Sequence, residues 1–315
     1  MAVMYYAKLN INSEIFNVYS KKIKITDILN NLFNNINDKV EYEKTQKYPA
    51  ETSNGIEEKE SSTEIFCFSD LTKKDDSGHK SIYGKVNRRY PLFTEDFNVI
   101  TRTSKKVVHK KNSSSISFYF DFKTEIITFC ARKYFGQTQF IEAFNELVNI
   151  SINNEMLFEV LLIIDPFSIR EQLEKAYKIT KIKSVIVPPN VNSEKFERLY
   201  THPVKELEKG NIHKKTTIFE SKNINDRGIN LDAEIVAEVI DSNEAFINYE
   251  EGYGKLEAEG KNKDGSKFAF NSDINSPYIT IIDDYIKGDE LEFILAGQNG
   301  ISILMAKNVI DQLTK

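Results

Sequence analysis

At 315 residues the chain is long enough for two or three hydrophobic cores, and 40% apolar with 28% charged residues is the balance of a folded soluble protein. No apolar run approaches the roughly 20 residues of a membrane span, and residues 1–9 lack the features of a signal peptide. The net charge of −5 hides a contrast: residues 71–111 hold 11 Lys/Arg against 4 Asp/Glu, residues 223–293 hold 6 against 17.

In chain order, residues 4–11 read as a strand and 24–36 as a helix with Ile25, Ile28, Leu29, Leu32 and Ile36 on one face. Residues 41–62 are rich in Glu, Lys, Ser and Thr and read as a mobile loop. Strands at 63–68 and 81–87 flank the turn sequence Asp75-Asp76-Ser77-Gly78, which predicts a hairpin. The basic stretch 102–111 and the serines at 113–115 read as a linker, which puts a domain boundary near residue 112.

The clearest pattern follows. Ile116, Phe118, Phe120 and Phe122 alternate with Ser117, Tyr119 and Asp121, the period of a half-buried strand, and residues 125–133 form its hairpin partner. A helix at 137–150 carries Phe140, Phe144, Leu147 and Val148 on its core face. A buried strand at 158–164, a helix at 168–179 capped by Ser168 and Glu171, and a strand at 181–187 complete a mixed layer with a crossover helix. Helices at 193–199 and 204–209 precede a strand at 214–220 and a helix from Asp232 to about Ala245. Asp264-Gly265 predicts a hairpin of 254–261 with 266–271; strands at 279–282 and 291–295 and a helix at 306–313 end the chain.

These elements define an α+β protein: a β-rich region with one helix and a basic loop at 1–112, then an α/β region with β-hairpins at 113–315. Cys67 and Cys130, each in an apolar strand pattern, fit a reducing cytoplasm. The abundance of Asn, Ile and Lys has the flavour of an AT-rich bacterial or phage genome.

The basic segment offers Arg88, Arg89, Arg102, Lys105, Lys106, Lys110 and Lys111 to nucleic-acid phosphates; the plainer reading is a solvated loop, or one that meets the acidic C-terminal region. Arg102 and His109 have an R-x6-H spacing that resembles the motif of the HEPN ribonucleases, which implies a helix positioning an imidazole and a guanidinium against a phosphodiester. Thr101, Val107 and Val108 are β-branched, so that helical setting is missing. Glu259-Gly260-Lys261, with Asp241 upstream, resembles the E-x-K arrangement of PD-(D/E)xK nucleases. That resemblance implies two carboxylates on Mg²⁺ and a lysine beside the attacking water; the alternative is a solvated hairpin face. Asp165 and the pair Asp283-Asp284 follow strands and read as turn residues. His79, His109, His202 and His213 show no metal-ligand spacing, and no phosphate-binding glycine loop is present.

The expectation is a cytoplasmic, non-enzymatic binding or sensing component of a phage-defence or mobile-element system, without a cofactor. Its partner is nucleic acid, another protein or a second copy of itself. The alternatives are a metal-dependent nuclease that requires Mg²⁺, or a purely protein-interacting subunit.

Overall fold

The computed structural model describes residues 1–51, 57–153, 157–165, 169–188, 190, 202–221, 228–248 and 253–314; within these, backbone alone is described at 46–51, 57–62, 93, 106, 108, 110–111, 202–204, 245, 247–248 and 307–314. The fold is mixed α+β and strand-rich toward the N-terminus, as the residue patterns predict.

An antiparallel sheet dominates. Its order is β12-β1-β6-β5-β4-β3-β2, built from β1 (Ala2–Ile11), β2 (Glu41–Glu51), β3 (Glu57–Asp76), β4 (His79–Asn98), β5 (Thr103–Asp121), β6 (Ile126–Phe129) and β12 (Ile279–Ile282). Strand β7 (Phe158–Leu162) also pairs with β1, beyond the stretch used by β12. Strands β6 and β7 are both antiparallel to β1 on its opposite edges. The helix joining them, α3 (Gln137–Ser151), is therefore the predicted crossover.

Helix α3 lies on the sheet face to which Phe118 and Phe120 of β5 alternate, together with α1 (Ile15–Tyr19) and α2 (Ile25–Asn35). The Phe144 ring is the hub of an aromatic cluster, with centroids 5.1 Å from Phe118, 5.4 Å from Phe68 and 5.6 Å from Phe140. Two asparagines complete the join. Asn149 both donates to and accepts from the Phe158 backbone (2.9 and 2.8 Å), and Asn145 accepts from Val160 N–H (2.9 Å), so the outer edge of β7 is satisfied by side chains.

The other face of the sheet is covered as well. Tyr119, predicted to sit on an exposed face, is buried beneath α8 (Glu290–Thr314), and Gln298 donates to its hydroxyl at 3.2 Å. Helix α8 replaces both the predicted strand at 291–295 and the terminal helix: a short apolar run has no periodicity that separates a strand from a buried helix. Its close seat depends on Gly297 and Gly300, where an added Cβ would press on Thr128 and overlap the Tyr6 hydroxyl. Cys130 lies in this core, where burial pushes its thiol up to about 12; both cysteines are free.

A second antiparallel sheet, β11-β10-β8-β9, comprises β8 (Lys178–Val187), β9 (Lys215–Glu220), β10 (Tyr253–Lys261) and β11 (Lys267–Asn271). Its apolar face (Ile182, Leu256, Ala258) is packed by α4 (Ile169–Glu174) and α6 (Glu234–Asn248), while α5 (His202–Lys209) packs Leu207 near Ile186. The four-residue α7 (Ser272–Asn275) leads back to β12.

Two expectations change. The predicted loop at 41–62 contains β2 and the start of β3, joined over eleven register pairs; its polar residues belong to a hairpin. Residue 112, placed at a linker, lies inside β5 opposite Tyr90 of β4. The predicted helix at 193–199 and the cap Ser168 lie outside the described residues. Among those described, no helix is long and apolar enough to cross a membrane.

Phe144 is fully buried at the hub of the aromatic cluster, so Phe144→Ala is expected to cost about 3–5 kcal/mol in denaturant unfolding. A loss under about 1 kcal/mol would contradict this packing.

Candidate nucleic-acid interface

Strands β3 and β4 separate where Ile65 faces Arg89, the outermost pair of their shared ladder. Beyond that point β2–β3 and β4–β5 continue as two hairpins. The β4–β5 pair runs on from Tyr90 opposite Asn112 to Asn98 opposite Thr103, which at about 3.3 Å per residue makes an arm of about 25–30 Å. Pro91, which has no N–H to give to the ladder, sits at the register shift between Tyr90 and Leu92.

The arm ends in a loop shaped by Asn98. Its side-chain oxygen accepts from Ile100 N–H (2.9 Å) and Thr101 N–H (3.1 Å), an Asx turn. Arg102 closes the loop in the left-handed region at φ 53°. The tip is apolar and open to solvent: Phe97 is 59% exposed, Val99 78% and Ile100 93%. Residues 90–112 carry Arg102 and four lysines against Glu95 and Asp96, a net +3.

The seven expected phosphate contacts divide by position. Arg88 is buried at the root of the arm, and Glu64, two residues along β3 from its ladder partner Phe66, is 1% exposed. The guanidinium donates to both Glu64 carboxylate oxygens (2.7 and 3.1 Å) and to the Tyr134 carbonyl, and it stacks on the Tyr90 ring at 4.2 Å. Arg88 is thus committed to an internal pair. Arg89 is paired with Glu41. Arg102 and Lys105 are exposed and make no ion pair among the described residues. Lys106 stands opposite Glu95 in the ladder. The side chains of Lys106, Lys110 and Lys111 lie outside those described. His109 is on a strand, 3.1 Å from the Thr94 hydroxyl, and not on a helix with Arg102.

Asp241, Glu259 and Lys261 do not converge. Asp241 belongs to α6, which packs on the Leu256/Ala258 side of β10; its partner there is Arg170 at 3.3 Å. Glu259 alternates to the opposite side and pairs with Lys267 at 3.6 Å. That side is a ladder of paired charges, with Lys181–Glu220 (2.6 Å), Lys183–Glu257 (3.1 Å), Lys255–Glu257 (2.9 Å) and Lys255–Asp273 (3.1 Å). Burial alone would raise Glu257, but the bonds and charges of Lys255 and Lys183 outweigh it and hold the carboxyl below its usual range. Among the described residues no three His, Cys, Asp or Glu side chains are grouped to hold a metal ion.

The exposed tip was missed by the sequence reading. Its signal is β-branched residues at 94, 99–101, 103, 107 and 108 on both sides of Asn98, a strand–turn–strand pattern that the lysines obscure.

These features define a strand-rich α+β protein whose most prominent free element is a basic two-stranded arm with an apolar tip. Residues 3–286 match the family model described as a domain of unknown function, DUF4747, and the chain belongs to that family. No curated protein matches it.

Arg88→Ala leaves Glu64 buried without its guanidinium and is expected to destabilise the fold by about 3–5 kcal/mol, whereas Glu259→Gln and Lys261→Ala should each stay within about 0.5 kcal/mol. Paired denaturation curves check the contrast; equal effects would contradict it. With Glu257 held low in the fold, its contribution is present at neutral pH and is lost as the pH falls through its folded value. Glu257→Gln should therefore flatten the acid limb of stability against pH; an unchanged limb would contradict the pairing.

Proposed function

We propose that this DUF4747 protein is a non-enzymatic nucleic-acid-binding component that engages its ligand with the β4–β5 arm. The observation that carries this reading is a two-stranded ribbon standing clear of the neighbouring strand, with net charge +3 over residues 90–112 and Val99 and Ile100 bare at its end. A two-stranded ribbon fits the major groove of B-DNA. Lysines along such a ribbon release counterions from phosphates. Apolar side chains at its tip can wedge between base steps. A protein partner would also cover the apolar tip, but the excess of cations favours a polyanion.

The nuclease alternative draws no support from the geometry, since Asp241 lies across the second sheet from Glu259.

Fluorescence anisotropy against salt, on labelled duplex and single strands, tests the proposal. Binding should fall steeply as salt rises. Replacing Lys105, Lys106, Lys110 and Lys111 with Ala should make the log–log slope shallower by about 3–4, close to one per lost phosphate contact. Val99→Ser with Ile100→Ser should weaken binding and leave the slope unchanged. Absence of binding at low salt, or indifference to the four lysine substitutions, would overturn the proposal.

A further inference from the structure

At the end of β4 away from the arm, a cleft of about 700 Å³ opens between α2, the β3–β4 turn, the β5–β6 turn and Asn190. Its floor holds groups that are costly to bury. Lys8 is 9% exposed, Glu125 6% and Asn190 3%. The Lys8 ammonium lies 3.3 Å from Glu125 and donates to the Thr124 carbonyl at 2.9 Å. Asn190 donates to the Glu125 carboxylate (3.0 Å) and the Leu9 carbonyl (2.6 Å), and accepts from Ile11 N–H (2.6 Å). Replacing a buried ion pair by apolar residues is often neutral or stabilising, so stability alone gives little reason to keep one here.

The free cationic donors of the cleft point to a ligand. Glu125, beside them, takes a left-handed turn position at φ 59° at the end of the β5–β6 turn. The Thr124 hydroxyl is buried and has no hydrogen-bond partner among the described residues. An ammonium carries three N–H donors; the Thr124 carbonyl takes one of those on Lys8, and Glu125 is its ion-pair partner. Lys80 and Lys123 also line the cleft. Lys80 donates to Asn30 at 2.6 Å and stands 3.7 Å from Asp75, while Lys123 is exposed and makes no ion pair among the described residues. Ile25, Leu29 and Phe122 form an apolar wall.

We propose that this cleft binds a phosphorylated small molecule of mononucleotide size. The volume lies within the range of ligand pockets. Three lysines against Asp75 and Glu125 leave a positive balance, and a phosphate monoester brings nearly two negative charges and three acceptor oxygens to it. The apolar wall suits a ring, and the Asn30 amide gives direction.

Isothermal titration and thermal shift with the four nucleoside 5′-monophosphates test the proposal, with the parent nucleosides and inorganic phosphate as controls. At least one nucleotide should bind below about 1 mM and raise Tm, more tightly than its nucleoside or phosphate alone. Lys123→Glu, an exposed change that the fold should tolerate, should weaken it by about tenfold or more. Lys105→Ala on the arm should leave it unchanged, which separates this site from nucleic-acid binding. No binding by any of the four, equal binding of inorganic phosphate, or unchanged affinity in Lys123→Glu would overturn the proposal.

Discussion

A guanidinium and a carboxylate, both removed from water, hold the root of the arm. The Arg88–Glu64 pair stands beside the point where β3 and β4 part. Each oxygen of Glu64 accepts a bond, and the same guanidinium reaches the Tyr134 carbonyl ahead of α3. A slip of β4 by one residue would turn Arg88 to the other face and break its bonds to Glu64 and to the Tyr134 carbonyl. This pair therefore ties together sheet register, the position of α3 and the place where the arm leaves the body.

None of the described core residues comes from the arm. The body's sheet is packed on one face by the aromatic cluster around Phe144 and on the other by α8, which the glycines at 297 and 300 let settle against Tyr6 and Thr128. The second sheet has its own core and a solvated face of paired charges. Against this background, Val99 and Ile100 expose apolar area to solvent, and Arg102 and Lys105 beside them have no ion-pair partner among the described residues. Such features are what a surface kept for a polyanion would carry.

How much was legible in the sequence follows from how local each signal is. The turn Asp75–Gly78, the alternation at 116–122, the α3 stripe and the Asp264-Gly265 hairpin depend on neighbours in sequence, and all four are present. The hairpin β2–β3 reads as a loop because residues 41–62 are dominated by Glu, Lys, Ser and Thr and show no apolar alternation. Helix α8 was read in part as a strand because it is apolar around much of its circumference. Residues 102–111 read as a linker because five of the ten are Lys or Arg, although the β-branched residues at 103, 107 and 108 fit a strand. The cleft was invisible: Lys8, Glu125 and Asn190 are far apart in the chain and meet only when β1, the β5–β6 turn and the segment after β8 are assembled.

The separation of a self-sufficient body from a binding arm is tested most directly by trimming the arm. Residues 91–111 would be replaced by Asn-Gly, which closes Tyr90 and Asn112 as a two-residue hairpin. The measurement is nucleic-acid affinity at low salt, taken on trimmed protein whose thermal midpoint is recorded alongside. The account expects a midpoint within a few degrees of the full chain (about 1 kcal/mol or less) and loss of salt-dependent binding. Binding that survives trimming, or a body that no longer folds, would contradict it.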